Sequence, residues 1–261
     1  MPQIEAVDDS FTKIPSRPFL KEIPMQMNHA AFARSPALRV SLKRGLARQA
    51  IATADRDAPN MPDLIRMAAG LRPNAKAVER LALRLKGRPG VVRVAMAQGG
   101  KALSFTARAV RAVEARVEGA TAFHEIGLIY LRARVGMMGS CLGFQLSAVC
   151  FCAHALERLV ERSDIDLRAA LLPQVDAEAQ AIFRGWDRAA RIMEAGDEYY
   201  PAETPGLWAG GHDEMALDPD WHLSNGCGRL PIFSARTFLS EAEMRPTVWL
   251  RWKDDPACRM A

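Results

Sequence analysis

A chain of 261 residues can bury a full core and sits near the size at which one core gives way to two. Its 49% hydrophobic and 25% charged residues are those of a globular protein, and it has no uncharged apolar run of the roughly 18 residues a membrane span needs. The net charge of +5 hides an asymmetry: residues 1–118 hold 21 Lys+Arg against 10 Asp+Glu, whereas residues 119–261 hold 14 against 20. A basic half of this kind draws polyanions, which points to RNA, DNA or an acidic protein as partner; a solvated helical surface would carry the same charges. The first residues, Met1 to Asp9, lack the basic and apolar regions of a secretory signal. Five scattered cysteines (Cys141, Cys150, Cys152, Cys227, Cys258) read as free thiols in a reducing cytoplasm.

Residues 1–36 carry five prolines and little periodicity, the pattern of an extended or partly disordered arm. Residues 41–53 space Leu42, Leu46 and Ala50 by four, with Lys43, Arg44 and Arg48 elsewhere on the turn, which predicts a short basic amphipathic helix. Asp63 is placed to cap a helix over 64–69, and Asn74 to cap a stronger one over 75–86, where Lys76, Arg80, Arg84 and Lys86 flank a Val78, Leu81, Leu85 stripe. Strands are expected over 91–97 and 102–107, joined by a turn containing Gly99 and Gly100. Residues 108–118 fit strand or helix.

Two further apolar segments, 123–135 and 141–152, predict central strands on either side of a glycine turn. A helix follows over 153–162, then a short one capped by Asp166 and a long one over 176–195 ended by Gly196. Beyond Tyr199 the chain is rich in Pro, Gly and Asp, with strand candidates at 207–209, 230–239 and 247–252.

The segment with the most chemistry is the helix over 153–162. His154, Arg158 and Arg162 recur every four residues along one edge, while Leu156, Leu159 and Val160 lie on another. Cleavage of RNA by its own 2′-hydroxyl needs a proton acceptor working near neutral pH and cations for the developing charge. Histidine and arginine supply these, and a nearby cation favours the neutral imidazole that can act as base. Glu157 and Glu161 offer the alternative that both arginines are ordinary ion-pair partners.

The run His154-Ala155-x-x-Arg158-x-x-x-Arg162 resembles a helix of the barnase and mRNA-interferase-like bacterial ribonuclease toxins. That resemblance implies a helix packed on a small antiparallel sheet. It makes His154 the acid/base, Arg158 and Arg236 phosphate contacts, and Thr237 a positioning hydroxyl on a late strand over 234–240. Some 45 residues separate this helix from the first convincing strand that follows it, a departure from the compact members. Tyr199 and Tyr200 are further candidates. His212, His222 and Cys227 form a looser set, beside Trp208 and Trp221, without a recognised zinc spacing. His29, His124 and Glu125 read as structural or solvated, and no metal or cofactor motif is expected.

Together these readings predict an α+β protein with helices on a mainly antiparallel sheet. Its organisation would be an arm (1–36), a basic helical region leading into a hairpin (37–118) and an α+β region (119–261), the last two able to form one domain. The expected function is nucleic-acid-directed: a metal-independent ribonuclease centred on His154, with Lys43, Arg44, Arg48, Lys76, Arg80, Arg84 and Lys86 binding the polyanion. The alternative is a non-catalytic DNA-binding accessory factor or interaction module.

Overall fold

Asparagine opens two of the N-terminal helices. In the computed structural model, which describes residues 36–71, 74–117, 120–138, 141–216 and 228–254, helix α1 spans Pro36–Arg56, α2 Met61–Ala69 and α3 Ala75–Lys86. The side-chain oxygen of Asn60 accepts from the Asp63 N–H at 3.0 Å, and that of Asn74 accepts from the Ala77 N–H at 2.8 Å. Asn74 caps as expected. Asp63 does not: it lies inside α2, where its carboxylate pairs with Arg66 at 2.9 Å, because Pro62 already fits the first turn. Helix α1 is longer than its sequence stripe suggested, and the arm falls outside the described residues except for Pro36.

The expected hairpin forms. Strand β1 (Val91–Ala97) pairs antiparallel with β2 (Ala102–Val117) across a single 3₁₀ turn in which Gly99 and Gly100 hold φ of 61° and 84°. The ambiguous stretch after Ala107 resolves as strand, since β2 continues against β3 (Ala120–Met138) in pairs such as Ala109↔Ile129, with one shift of register between Ala115 and Arg116. Strand β4 (Cys141–Cys152) follows antiparallel to β3, and α4 (Ala153–Arg162) begins directly from its end.

Two helical expectations shift. Helix α5 spans Leu171–Asp187, and Asp166 instead holds the preceding turn by accepting from the Arg168 N–H at 2.9 Å. Residues 192–194 are strand β5 (Ile192–Glu194) rather than helix, because Ala189 takes a left-handed φ of 54° and breaks the periodic run. Strands β6 (Asp197–Pro201), β7 (Leu207–Ala216) and β8 (Arg229–Leu239) complete the sheet. The last expected strand is corrected: Pro246–Asp254 is helix α6, in which Val248 is buried and Trp249 and Trp252 pack on the Ile192–Tyr199–Leu207 cluster. Proline at a helix start and this packing outweigh the strand preference of Thr, Val and Trp.

Among the described residues the architecture is α+β, with six helices and one eight-stranded sheet in the order β1-β2-β3-β4-β8-β7-β6-β5. Every pairing is antiparallel except β4–β8, which runs parallel from Ala148↔Ile232 to Phe151↔Ala235. One face of the sheet is covered by α1, α4 and α5, around Tyr130, Phe151, Phe233, Trp208 and Phe238. The opposite face is covered by α2 and α3, around Phe105, Ile129, Leu131 and Cys150. An edge-on contact between Phe151 and Trp208 (4.8 Å) links the first half of the sheet to the second, and another between Tyr200 and Phe233 (4.8 Å) ties β6 to β8.

Candidate functional site

Helix α4 starts where β4 leaves the sheet, with the Cys152 sulfur accepting from the Ala155 N–H at 3.4 Å. Ala155, Leu156 and Leu159 bury one side of the helix and leave His154 exposed. Arg158 Nε donates to His154 Nε2 at 3.3 Å. Arg158 also pairs with Glu161 at 2.5 Å. Arg162 is committed inward: its Nη1 donates to the Phe238 carbonyl at 2.8 Å and to Thr237 Oγ1 at 3.3 Å, and its Nε pairs with Glu243 at 2.8 Å. Thr237 is therefore a ligand of Arg162.

Arg236 sits elsewhere. Its guanidinium lies over Gly211 and 4.0 Å from Asp197. Gly210, the preceding residue of β7, faces Phe233 and the core beneath α4, so Gly211 and the Arg236 head occupy the other face of the sheet. The structure brings His154, Arg158 and Arg162 to one helix and leaves Arg236 apart from them. Tyr199 and Tyr200 are buried, and burial pushes the Tyr200 hydroxyl up to about 12.

The basic residues divide into two groups. On α1, Lys43 pairs with Glu161 at 3.1 Å and Arg44 approaches Glu157 at 3.9 Å, so these cations fasten α1 to α4; Arg48 is exposed beside them. Burial acts against ionisation of Glu161, but Lys43 and Arg158 outweigh it and bring the carboxyl below its usual range. On α3, Lys76, Arg80, Arg84 and Lys86 are all exposed and none forms an ion pair with a described carboxylate. Arg80 and Arg84 line an open groove of about 390 Å³ together with Met67, Leu71 and Asn74. No family model, curated protein or solved structure matches this chain.

Among the described residues, the thiols of Cys150 and Cys152 and the ring of His212 are otherwise employed. Burial pushes Cys150 up to about 12 and Cys152 to about 11, which keeps both protonated and unreactive. His212 Nδ1 is held against the Glu198 carboxylate, with its ring against Trp186 and Tyr200, a packed arrangement within the sheet. Among the described residues no three His, Cys, Asp or Glu side chains converge as metal ligands. His29, His222, Trp221 and Cys227 lie outside the described residues, and the side chain of His124 is likewise not described. No helix among the described residues is long and apolar enough to cross a membrane.

Sequence reasoning passed over a second concentration of arginine. Arg132 and Arg134 lie on β3 within the apolar segment 123–135, and Arg132 is buried. Arg132 Nη1 donates to Asp187 at 3.0 Å and to the Phe183 carbonyl at 3.3 Å, its Nε donates to Ser147 at 3.2 Å, and its head lies 4.2 Å from the centre of the Phe183 ring. Arg134 shares the same Asp187 oxygen. Burial lowers Arg132 to about 10 and Asp187 partly restores it. Two arginines two residues apart in a strand must share a face, and that was the available signal.

Proposed function

We propose that this chain is a nucleic-acid-directed protein that engages the phosphate backbone through the exposed face of α3. The observation that supports the reading is the line of Lys76, Arg80 and Arg84, one helical turn apart and without carboxylate partners among the described residues. Successive members stand about 6 Å apart along the axis, a spacing at which each can meet a separate phosphate. The groove beside Arg80 and Arg84 gives the polyanion a surface to follow. The cations of α1 contribute less, because Lys43 and Arg44 already neutralise Glu161 and Glu157.

Three phosphate contacts on a DNA duplex correspond to a slope of about −2.7 in log affinity against log salt, or about a 40-fold loss between 50 and 200 mM. Fluorescence anisotropy with a labelled duplex should show this dependence, and Arg80→Ala/Arg84→Ala should reduce the slope to about −0.9. Absence of binding at low salt, or a slope unchanged in the double variant, would overturn the reading.

Cleavage of RNA at α4 is a second reading, supported by the exposed His154 ring that accepts from Arg158. For the imidazole to take a proton at Nε2, Arg158 has to swing away toward Glu161, which it already contacts. Under this reading wild type degrades labelled RNA without added metal, His154→Ala loses turnover, and affinity is retained because it resides on α3. Equal cleavage by His154→Ala, with the fold intact by thermal melting, would remove His154 from consideration.

A further inference from the structure

The sheet face beneath the end of α5 changes character. Around Tyr130 and Phe151 it is large and apolar, but in the next rows β1, β2 and β3 present Arg93, Thr106 and Arg132, then Ala95, Ser104 and Arg134, then Ala97, Ala102 and Gly136. The small side chains leave a cavity of about 400 Å³ between these strands and Gln180, Phe183, Arg184 and Asp187 of α5. That volume lies in the range of small-ligand pockets.

The cavity holds an excess of donors. Four arginines line it (Arg93, Arg132, Arg134 and Arg184) against the single carboxylate of Asp187. Arg184 has a carboxylate partner in Glu203, which is outside the lining; Arg93 has none among the described residues. The Gln180 side-chain nitrogen is buried and finds no acceptor among the described residues. An oxyanion with several lone pairs would offer acceptors to the arginines together.

We propose that this cavity binds a small phosphomonoester, with the phosphate in the fork of Arg132 and Arg134 and the organic part over the floor of Ala95, Ala97 and Ala102. Inorganic phosphate alone would leave most of the volume empty, and a neutral molecule would leave the arginines uncompensated. Asp187 is the built-in competitor. It is the last residue of α5, where a carboxylate is opposed by the helix dipole, and the two arginines hold it there. An arriving phosphate displaces the Asp187 oxygen from Arg134 and takes up the same donors.

Calorimetric titration of the full chain at low ionic strength tests this with ribose 5-phosphate, glycerol 3-phosphate and a nucleoside 5′-monophosphate, beside ribose, inorganic phosphate and succinate. At least one monoester should bind with one site per chain and at least tenfold more tightly than inorganic phosphate or succinate, with no binding of ribose. Arg134→Ala should weaken it at least tenfold, the cavity-filling Ala95→Phe should abolish it, and Asp187→Asn should tighten it. Arg80→Ala/Arg84→Ala should leave it unchanged, so this site and the α3 surface can fail separately. If Arg134→Ala does not fold, the exposed Arg93→Ala, expected to weaken binding several-fold, takes its place. Failure of all three monoesters to bind, succinate binding as tightly as they do, affinity indifferent to the cavity variants, or weaker binding in Asp187→Asn would each overturn the proposal.

Discussion

Replacing Glu178 with alanine is expected to lower the unfolding free energy by about 4 kcal/mol, measured by urea denaturation. Glu178 is buried on α5, where its carboxylate accepts from the Glu203 N–H (2.9 Å), the Thr204 N–H (3.0 Å), the Thr204 hydroxyl (2.8 Å) and the indole N–H of Trp208 (2.8 Å). Alanine leaves these donors, among them the indole N–H of the fully buried Trp208, without their acceptor. Glu178→Gln keeps the shape and one oxygen, and should cost about half as much. The carboxyl also has a pH signature. Burial raises it above its ordinary range against the pull of Trp208, Thr204 and Glu203, so the folded state holds its proton more tightly than the unfolded state. Its contribution is greatest below the unfolded-state value and is lost as pH rises through the folded-state value. The stability advantage of wild type over Glu178→Gln should therefore narrow as pH is raised from about 4 toward neutrality.

Gly210→Ala should be at least as damaging, with a loss of about 4 kcal/mol or failure to fold. An added methyl would stand 2.1 Å from the Ser234 carbonyl oxygen and 2.9 Å from the Phe233 ring. The first of these is backbone of the neighbouring strand and cannot swing aside. Gly210 borders the irregularity in β7–β8 pairing between Ala209 and Gly210, where the strands approach closely over the core. Gly211→Ala provides the control: its methyl meets only the mobile end of Arg236 at 3.5 Å, and thermal melts should register little change.

The elements legible in the sequence were those with a local cause. Asn74, the Gly99-Gly100 turn and the two long apolar strands each specify their conformation within a few residues. The elements misread had a distant one. Ala189 at φ 54° has no compositional cue, and α6 is settled by the cluster it packs on and by Thr247 binding Glu194. The candidate site divides in the same way. The α3 cations could be read because helical spacing alone aligns them, and the association of His154 with Arg158 is likewise one turn of helix. The separation of Arg236 from both depends on which face of β8 it takes after a break in register, which spacing cannot foretell. Arg132 and Arg134 were obscured by their apolar neighbours, and only the pairing of β3 with β2 shows that they meet Thr106 and Ser104 across the sheet.

The single parallel pairing has a consequence for how the chain reaches this state. Strands β1 to β4 and β5 to β8 are each a meander of strands adjacent in sequence, and such local pairings form quickly. The β4–β8 seam instead joins positions roughly 80 residues apart, so its loop-closure entropy is met only once both meanders exist. Until β8 arrives, β4 is an open edge carrying Val149 and Phe151 on one side and Ala148 and Cys150 on the other, a template that a second unfinished chain could occupy. The order of synthesis exposes that edge for as long as the ribosome takes to deliver α4, α5 and the second meander.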